Sequence, residues 1–491
     1  MDYKVLLSSF ERTQDMHDWP RQRVIHACLR AAIVGGGLAS GTRLLASRAL
    51  AAELGIARNT VVYAYEQLAT EGLILATPRG SVVAPLAVPK ARAGAAANAA
   101  SSSNPANAAI ARRMQGVRAI PPSGAEAGAF APGVPALDAF PIALWRRTLD
   151  RAWRSMDQHD LNYADVAGLL PLREEISAYL GASRGVRCDA SQVFVTSGTQ
   201  ASLELCARTF ADAGATAWIE NPGYLGALAA FRAAQLRTIG IPVDAGGIDP
   251  SVQDWQQHKP KLIYTTPSHQ YPTGTVLGMQ RRLALLERAK AAGALIIEDD
   301  YDSEFRYDGP PLPAMQGLAP DAPVIYLGTF SKTMFPAIRT GFMVVPSNLL
   351  APLRAVMARM APHGRVADQL ALADFLRSGQ FGVHLRRMRR LYRGRRDLLL
   401  DALQRHAGGA VAVHGASAGI HLSLQLLDRT LVDTDVAAAA LARGVVARAL
   451  SAHTTGLRQH GWNGLLLGYS QVDGDAIEAL VKSLAALLQA D

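Results

Sequence analysis

GTFSKTMFPAIRTGF, running from Gly328 to Phe342, stands a short way downstream of EDDYDSEF, Glu298 to Phe305. A lysine that reacts with a carbonyl as its neutral amine must sit close to its target among small and hydroxyl residues, and Lys332 lies between Thr329, Ser331 and the later Arg339. Schiff-base chemistry on pyridoxal phosphate asks for three more groups: an acid for the pyridine nitrogen, a donor near the ring oxygen, and cation or amide contacts to the phosphate. Asp299 or Asp300, Tyr301 and Arg339 are residues of those types. Adjacent strand residues point to opposite faces, so only one of the two aspartates reaches a ring. Lys332, desolvated near a cation, is expected to have a lowered pKa.

Working outward, the region from about Ala127 to Asp491 alternates helical patterns with short apolar runs: VFVTSG, TAWIENP, KLIYTTPSH, LIIEDDY and VIYLGTFSK. Such alternation predicts an α/β fold with a mostly parallel sheet, its ligands near the carboxyl ends of the strands. The candidate residues fall at those ends. Gly198 and Thr199 follow one strand and open the helix ASLELCARTF, where first-turn amides suit a phosphate. Tyr224, in the NPGY run after the next strand, can stack on a planar ring.

Upstream, the stretch from about Pro85 to Ala127 is rich in alanine, serine, proline and asparagine and lacks apolar periodicity. It reads as a flexible tether. The expected layout is therefore an N-terminal module over 1–84, a linker over 85–126 and a long module over 127–491. In the N-terminal module, ASRALAAELGIARNTVVYAYEQLATEGLI carries Leu50, Leu54, Val61, Val62, Tyr65 and Leu68 at helical spacing, interrupted at Gly55. This predicts a helix-turn-helix whose second helix opens with Arg58, Asn59 and Thr60, side chains suited to base edges and phosphates. GLILATPRGSVVA then suits a two-stranded wing with Arg79 at its tip.

Composition agrees with a globular protein of more than one part: 491 residues, 49% of them hydrophobic. Cys28, Cys188 and Cys206 show no CxxC spacing, which suits a reducing compartment, and no signal or membrane span is legible, so a cytoplasmic protein is expected. A formal charge of +9 is compatible with a polyanionic partner.

The short module, with Arg48 in its SR pair and the RNTV opening of its second helix, resembles the winged-helix domain of the GntR family of bacterial transcription regulators. LLASR departs from that family's usual proline before the serine. The long module resembles fold type I aminotransferases, and the combination resembles the MocR/GabR family, in particular its pyridoxal-phosphate-sensing PdxR group. The resemblance implies Lys332 as the Schiff-base lysine, Asp299 as partner of the pyridine nitrogen, Tyr301 near the ring oxygen and Tyr224 over the ring. It implies phosphate contacts from Gly198, Thr199, Thr329 and Arg339, with Tyr163 lent across a homodimer interface. It also implies operator DNA as partner, read by Arg48, Arg58, Asn59, Thr60 and Arg79. Two departures point away from ordinary transamination. Leu465 or Leu466 stands where the fold places a carboxylate-binding arginine, leaving Arg458 as a substitute only if its loop folds back, and Tyr271 replaces the asparagine of the NPTG motif. The expectation is a DNA-binding regulator that senses pyridoxal phosphate and controls vitamin B6 synthesis or salvage. The alternatives are a regulator responding to an amine effector, and a working aminotransferase with a DNA-binding appendage.

Overall fold

The computed structural model describes residues 2–13, 18–78, 80–85, 111–114, 128–360, 364–455 and 462–488. The chain divides into two compact units, Met1–Asn104 and Pro105–Asp491. Most of the expected linker, together with Arg79 and Arg458, lies outside the described residues.

Among the described residues the first unit holds four helices, α1 (Tyr3–Thr13), α2 (Arg21–Val34), α3 (Ser47–Leu54) and α4 (Arg58–Thr70), followed by the antiparallel strands β1 (Ile74–Thr77) and β2 (Gly80–Val83). Helix α3 ends at Gly55, whose left-handed φ of 65° lets the Ile56 N–H turn back to the Ala51 carbonyl at 3.0 Å. Glycine adopts that conformation without the penalty a Cβ would bring, so the tight turn falls where the periodicity breaks. Val61, Ala64, Tyr65 and Leu68 form the buried stripe of α4 and pack with Leu50, Ile25 and Leu29. The exposed face of α4 carries Arg58, Asn59, Glu66 and Thr70 together with Tyr63. LLASR does not disturb the turn: α3 starts at Ser47 after Ala46 in an extended conformation. Helix α1 was not anticipated; Tyr3 and Leu7 bury into the same core, and Glu53 accepts the Tyr3 N–H at 2.9 Å.

The second unit is built on an eight-stranded sheet: β3 (Val193–Thr196), β4 (Thr216–Asn221), β5 (Arg237–Asp244), β6 (Gly247–Ile248), β7 (Leu262–Thr265), β8 (Leu295–Asp300), β9 (Val324–Thr329) and β10 (Gly341–Val344). Their spatial order is β3-β10-β9-β8-β7-β4-β5-β6, with β9, β8, β7, β4 and β5 mutually parallel and β10 antiparallel to both its neighbours. Period-two alternation divides the strand residues between two cores. Ile219, Tyr264, Ile297 and Ile325 pack on one side, and Trp218, Ile263, Ile296 and Val324 on the other. A smaller antiparallel sheet follows, β11 (Val411–His414), β12 (His421–Leu426), β13 (Arg448–Ala449) and β14 (Gly464–Gly468), in the order β11-β12-β14-β13. The 28-residue helix Gln380–Ala407 leads into it. No helix among the described residues is long and apolar enough to cross a membrane.

Candidate cofactor site

Parallel strands deliver their carboxyl ends to one edge, and the motif residues arrive there together. Thr196 ends β3, Asn221 ends β4, Thr265 ends β7, Asp300 ends β8 and Thr329 ends β9, while antiparallel β10 brings its first residue, Gly341, opposite both Thr196 and Thr329. A Cβ on Gly341 would stand 2.9 Å from Gly198 Cα, so β10 can press against the start of the helix Thr199–Phe210 only as glycine. Arg339 lies two residues before β10 in a left-handed conformation, φ 46°. Arg339 is exposed and electrostatically close to the Tyr224 hydroxyl, whose pKa is pushed up to about 12 by burial, with Asp299 and Tyr271 adding to the rise and Arg339 opposing it.

The choice between the two aspartates follows from strand alternation. Asp299 shares a face with Ile297 and Tyr264, and its Oδ2 accepts the Tyr264 hydroxyl at 2.8 Å. Its Oδ1 is buried with no hydrogen-bond partner among the described residues. Burial pushes the Asp299 carboxyl up to about 7. Asp300 turns the other way, pairing with Arg184 at 2.7 Å and accepting the Tyr326 hydroxyl at 2.6 Å. Of the two, Asp299 has the buried oxygen without a hydrogen-bond partner among the described residues.

Lys332 emerges after β9 and donates to the Gly133 carbonyl at 2.6 Å. Its pKa is lowered by burial, against the opposing pull of Asp302 and Asp299, which favours the neutral amine a carbonyl needs. Gly133 has φ 78°, and a Cβ there would come within 3.0 Å of Lys332 Nζ.

Around these groups stands a cluster of rings. Tyr271 lies 5.8 Å from Tyr224, 6.1 Å from Tyr301, 5.6 Å from His421 and 5.2 Å from His453, centroid to centroid. Tyr301 donates to the His269 carbonyl at 3.0 Å and lies 3.1 Å from His269 Nδ1, which in turn meets Asp302 at 3.1 Å. His421 is held neutral, its pKa driven well down by burial and by the nearby His269, His453 and Lys332. The orphaned Asp299 oxygen fits a ring N–H, Tyr224 and Tyr301 both pack edge-on to Tyr271, and Gly198 and Thr199 open a helix whose first amides suit a phosphate. The residues present therefore fit pyridoxal phosphate.

Four groups in this region were not singled out from sequence. Glu220, fully buried, accepts from Thr265 Oγ1 (2.6 Å), Thr266 N (3.1 Å), Thr266 Oγ1 (2.7 Å) and Gln270 Nε2 (3.1 Å), and so fixes the SHQYPTG loop. His269 and Asp302 form the dyad behind Tyr301. Arg448 is the fourth. Leu466 does occupy the expected strand position, but Arg448 of β13 is its direct cross-strand partner. The Arg448 guanidinium lies against the Tyr271 hydroxyl, and its charge helps to lower the Lys332 pKa. A pairing register between strands is not written in either strand's local sequence, so this juxtaposition was invisible there. Tyr163 is 98% exposed and is not brought into the pocket of its own chain.

On the first unit, Arg48, Arg58 and Asn59 are exposed and Thr60 is half-buried, all at the start of α3 or α4.

Comparison with known proteins matches both parts. Residues 133–462 match the family "Aminotransferase class I and II", and residues 21–83 match "Bacterial regulatory proteins, gntR family". The chain is 37% identical over 470 residues to the probable rhizopine catabolism regulatory protein MocR of Rhizobium meliloti, covering 95% of this chain and 93% of that protein. It is 34% identical over 471 residues to the HTH-type pyridoxine biosynthesis transcriptional regulator PdxR of Corynebacterium glutamicum, covering 93% of each. Among solved structures, LysN, an alpha-aminoadipate aminotransferase from Thermus thermophilus, aligns with a TM-score of 0.67 at 28% identity over 74% of this chain and 92% of LysN. Similarity to regulators extends over nearly the whole length, head included, and on that ground the chain belongs to the MocR/GabR family of transcription regulators, with a gntR-type winged helix and an aminotransferase-like domain of fold type I.

Proposed function

We propose that the second unit is a sensor for pyridoxal phosphate and that the protein controls genes of vitamin B6 synthesis or salvage in the cytoplasm. The observation that carries this reading is the presence, at the ends of neighbouring strands, of Lys332, whose amine pKa is lowered by desolvation, and Asp299, whose Oδ1 lacks a partner among the described residues. The similarity to a pyridoxine biosynthesis regulator supports it. When bound, the cofactor supplies an electrophilic aldehyde and an electron-accepting ring. This chain's residues would do the rest. Lys332 offers its amine, Asp299 Oδ1 accepts the ring N–H, Tyr301 holds the ring oxygen, Tyr224 covers the ring, and Gly198, Thr199, Thr329 and Arg339 hold the phosphate. Tyr163, fully exposed in its own chain, would complete the phosphate site of a second copy in a homodimer. Arg48, Arg58, Asn59 and Thr60 would face operator DNA, with Arg79 at the wing. Differential affinity of the cofactor for two arrangements of the dimer would change which operator spacing the heads can span.

A second reading, an amine effector carrying an anionic group, is favoured by Arg448 beside Tyr271, since a guanidinium near the reactive lysine is a ready carboxylate or sulfonate anchor. The two separate in one experiment. Apo-protein is titrated with pyridoxal phosphate and then with candidate amines, while absorbance and a gel shift on DNA upstream of its own and neighbouring genes are followed. DNA affinity that changes with the cofactor alone supports the first reading. A spectral and gel-shift response that requires the amine replaces it with the second, and sustained keto-acid release replaces both with an active aminotransferase.

A further inference from the structure

The segment that begins with Asp299 and Tyr301 continues past the cofactor pocket into a separate cleft of about 370 Å³. Ser303, Glu304 and Arg306 line it from that segment, Arg184 from the end of the helix Leu170–Arg184, and Arg386 and Arg389 from the helix Gln380–Ala407. Its size lies at the small end of the range for small-molecule pockets, roughly 300–1,000 Å³.

Three observations point to an anionic occupant. First, the positive charge there is in excess. Arg184 is neutralised by Asp300, but Arg306, Arg386 and Arg389 join no ion pair among the described residues, and Arg389 donates only to the Glu304 main-chain carbonyl, at 2.8 and 3.0 Å. Second, buried donors lack acceptors. Ser303 is 7% exposed and its Oγ has no partner, while Arg306 Nε and Nη1 are likewise buried and unpartnered among the described residues. Leaving such donors unsatisfied is costly, more so for charged ones, so the arrangement favours an acceptor from outside. Third, the one acid lining the cleft does not oppose an anion at full strength. Glu304 accepts the Tyr179 hydroxyl at 2.9 Å, and burial, followed by the charge of Asp300, pushes its carboxyl up to about 7. Next to the cleft, Arg386, Arg389, Arg390 and Arg393 line a second, shallower hollow, a row of cations that would draw an anion toward it.

We propose that this cleft is a binding site for a phosphate dianion, free or as the head of a small monoester, separate from the cofactor's own phosphate site. A phosphate presents enough acceptor oxygens to take the Arg306 edge, the Ser303 hydroxyl and a rim guanidinium together, which a single carboxylate does not.

The test is equilibrium dialysis of the full-length, cofactor-saturated protein against radiolabelled inorganic phosphate, in chloride buffer of constant ionic strength. Wild type is compared with Arg306→Met, Ser303→Ala and Arg386→Gln. One saturable site per chain is expected, weakened about tenfold or more by Arg306→Met. The two other changes should weaken it less, and the cofactor band should stay unchanged in all. Arg386 is exposed at the rim, so Arg386→Gln keeps the test decisive if Arg306→Met fails to fold. Competition by glycerol 3-phosphate stronger than by inorganic phosphate identifies a monoester site, and the reverse order a free-ion site. No saturable binding to wild type, equal binding by wild type and the variants, or stronger competition by malonate than by either phosphate overturns the proposal. So does loss of operator affinity in Arg386→Gln without any small-anion binding, which would assign the arginines to nucleic-acid phosphates. Because the variants are compared with one another, the outcome stands whether or not the cofactor reading survives.

Discussion

Asp299 and Asp300 are neighbours of one residue type at the end of one strand, and the fold treats them oppositely. Asp300 is enclosed by Arg184 and Tyr326, both donated by the chain itself. Asp299 is equally buried, yet one of its oxygens has no partner among the described residues. A buried carboxylate is tolerated when its charge is matched. On the even-numbered face the match is internal and the pair is structural. On the odd-numbered face one oxygen of Asp299 finds no donor among the described residues, and its carboxyl is pushed up to about 7 instead. A buried acid with an unmatched oxygen is thus a better marker of a candidate ligand site than one fully enclosed by its own chain.

The largest way to test this contrast is to remove the group that acts on the odd-numbered side alone. Lys332→Ala should abolish the absorption band of the bound cofactor, with melting behaviour close to wild type because only one hydrogen bond, to Gly133, is lost. A band that survives in that variant, and survives borohydride treatment, would remove Lys332 from the site. Next in size, Asp300→Ala should destabilise the second unit by about 3–5 kcal/mol in urea unfolding, because it leaves Arg184 buried without its counter-charge. Asp299→Asn should reverse the pattern. It keeps the apo-protein at least as stable as wild type, while cofactor affinity drops by roughly 10–100-fold, or about 1.4–2.8 kcal/mol. Equal costs for the two changes would mean that the two faces do not differ as described.

The same contrast explains what could be read in advance. Asp299, Tyr301, Lys332, Gly198 and Tyr224 were legible because each sits immediately after an apolar run, and parallel strands bring such positions to one edge whatever their separation in sequence. Alternation showed that Asp299 and Asp300 would part company. Which of them faced the pocket depended on Tyr264 and Arg184, residues distant in sequence from both. Arg448 was hidden for the same reason, since one arginine in a chain with 50 Lys and Arg carries no mark of lying opposite Leu466. Glu220 reads locally as the end of an apolar strand, and only the folded loop shows four donors closing on it. Helix α1 lacked a motif of its own and is held by burying Tyr3 and Leu7 in the head's core.

A smaller effect extends the comparison to the head. Arg58 is exposed at the first turn of α4 and takes part in no ion pair among the described residues, and the proposed reading gives it an operator phosphate or base as its partner. Arg58→Ala should cost operator binding about 1–3 kcal/mol in a gel shift and leave the cofactor band unaltered. Unchanged operator affinity would take the recognition role away from that residue.

The finest distinction is one of proton linkage. Asp299, Glu298 and Glu304 each have a carboxyl pushed up to about 7, burial being the main cause in all three. In the unfolded chain such groups titrate near about 4. Between those limits the folded protein keeps protons that the unfolded chain has already released, so raising the pH favours unfolding. Apo-protein should therefore melt progressively lower from about pH 4 to pH 7 and level off above, since the folded groups too have then ionised. A ring N–H at Asp299 Oδ1 would pull that one carboxyl back down and remove its share of the slope, leaving the shares of Glu298, Glu304 and Glu220, whose carboxyl burial also raises. Cofactor-loaded wild type should thus show a shallower decline than apo wild type, and apo Asp299→Asn should show the same shallower decline without any cofactor. If apo wild type and apo Asp299→Asn lose stability with pH in parallel, the orphaned oxygen is not the group that awaits the ring, and the distinction between the two aspartates would have to rest on Asp300 alone.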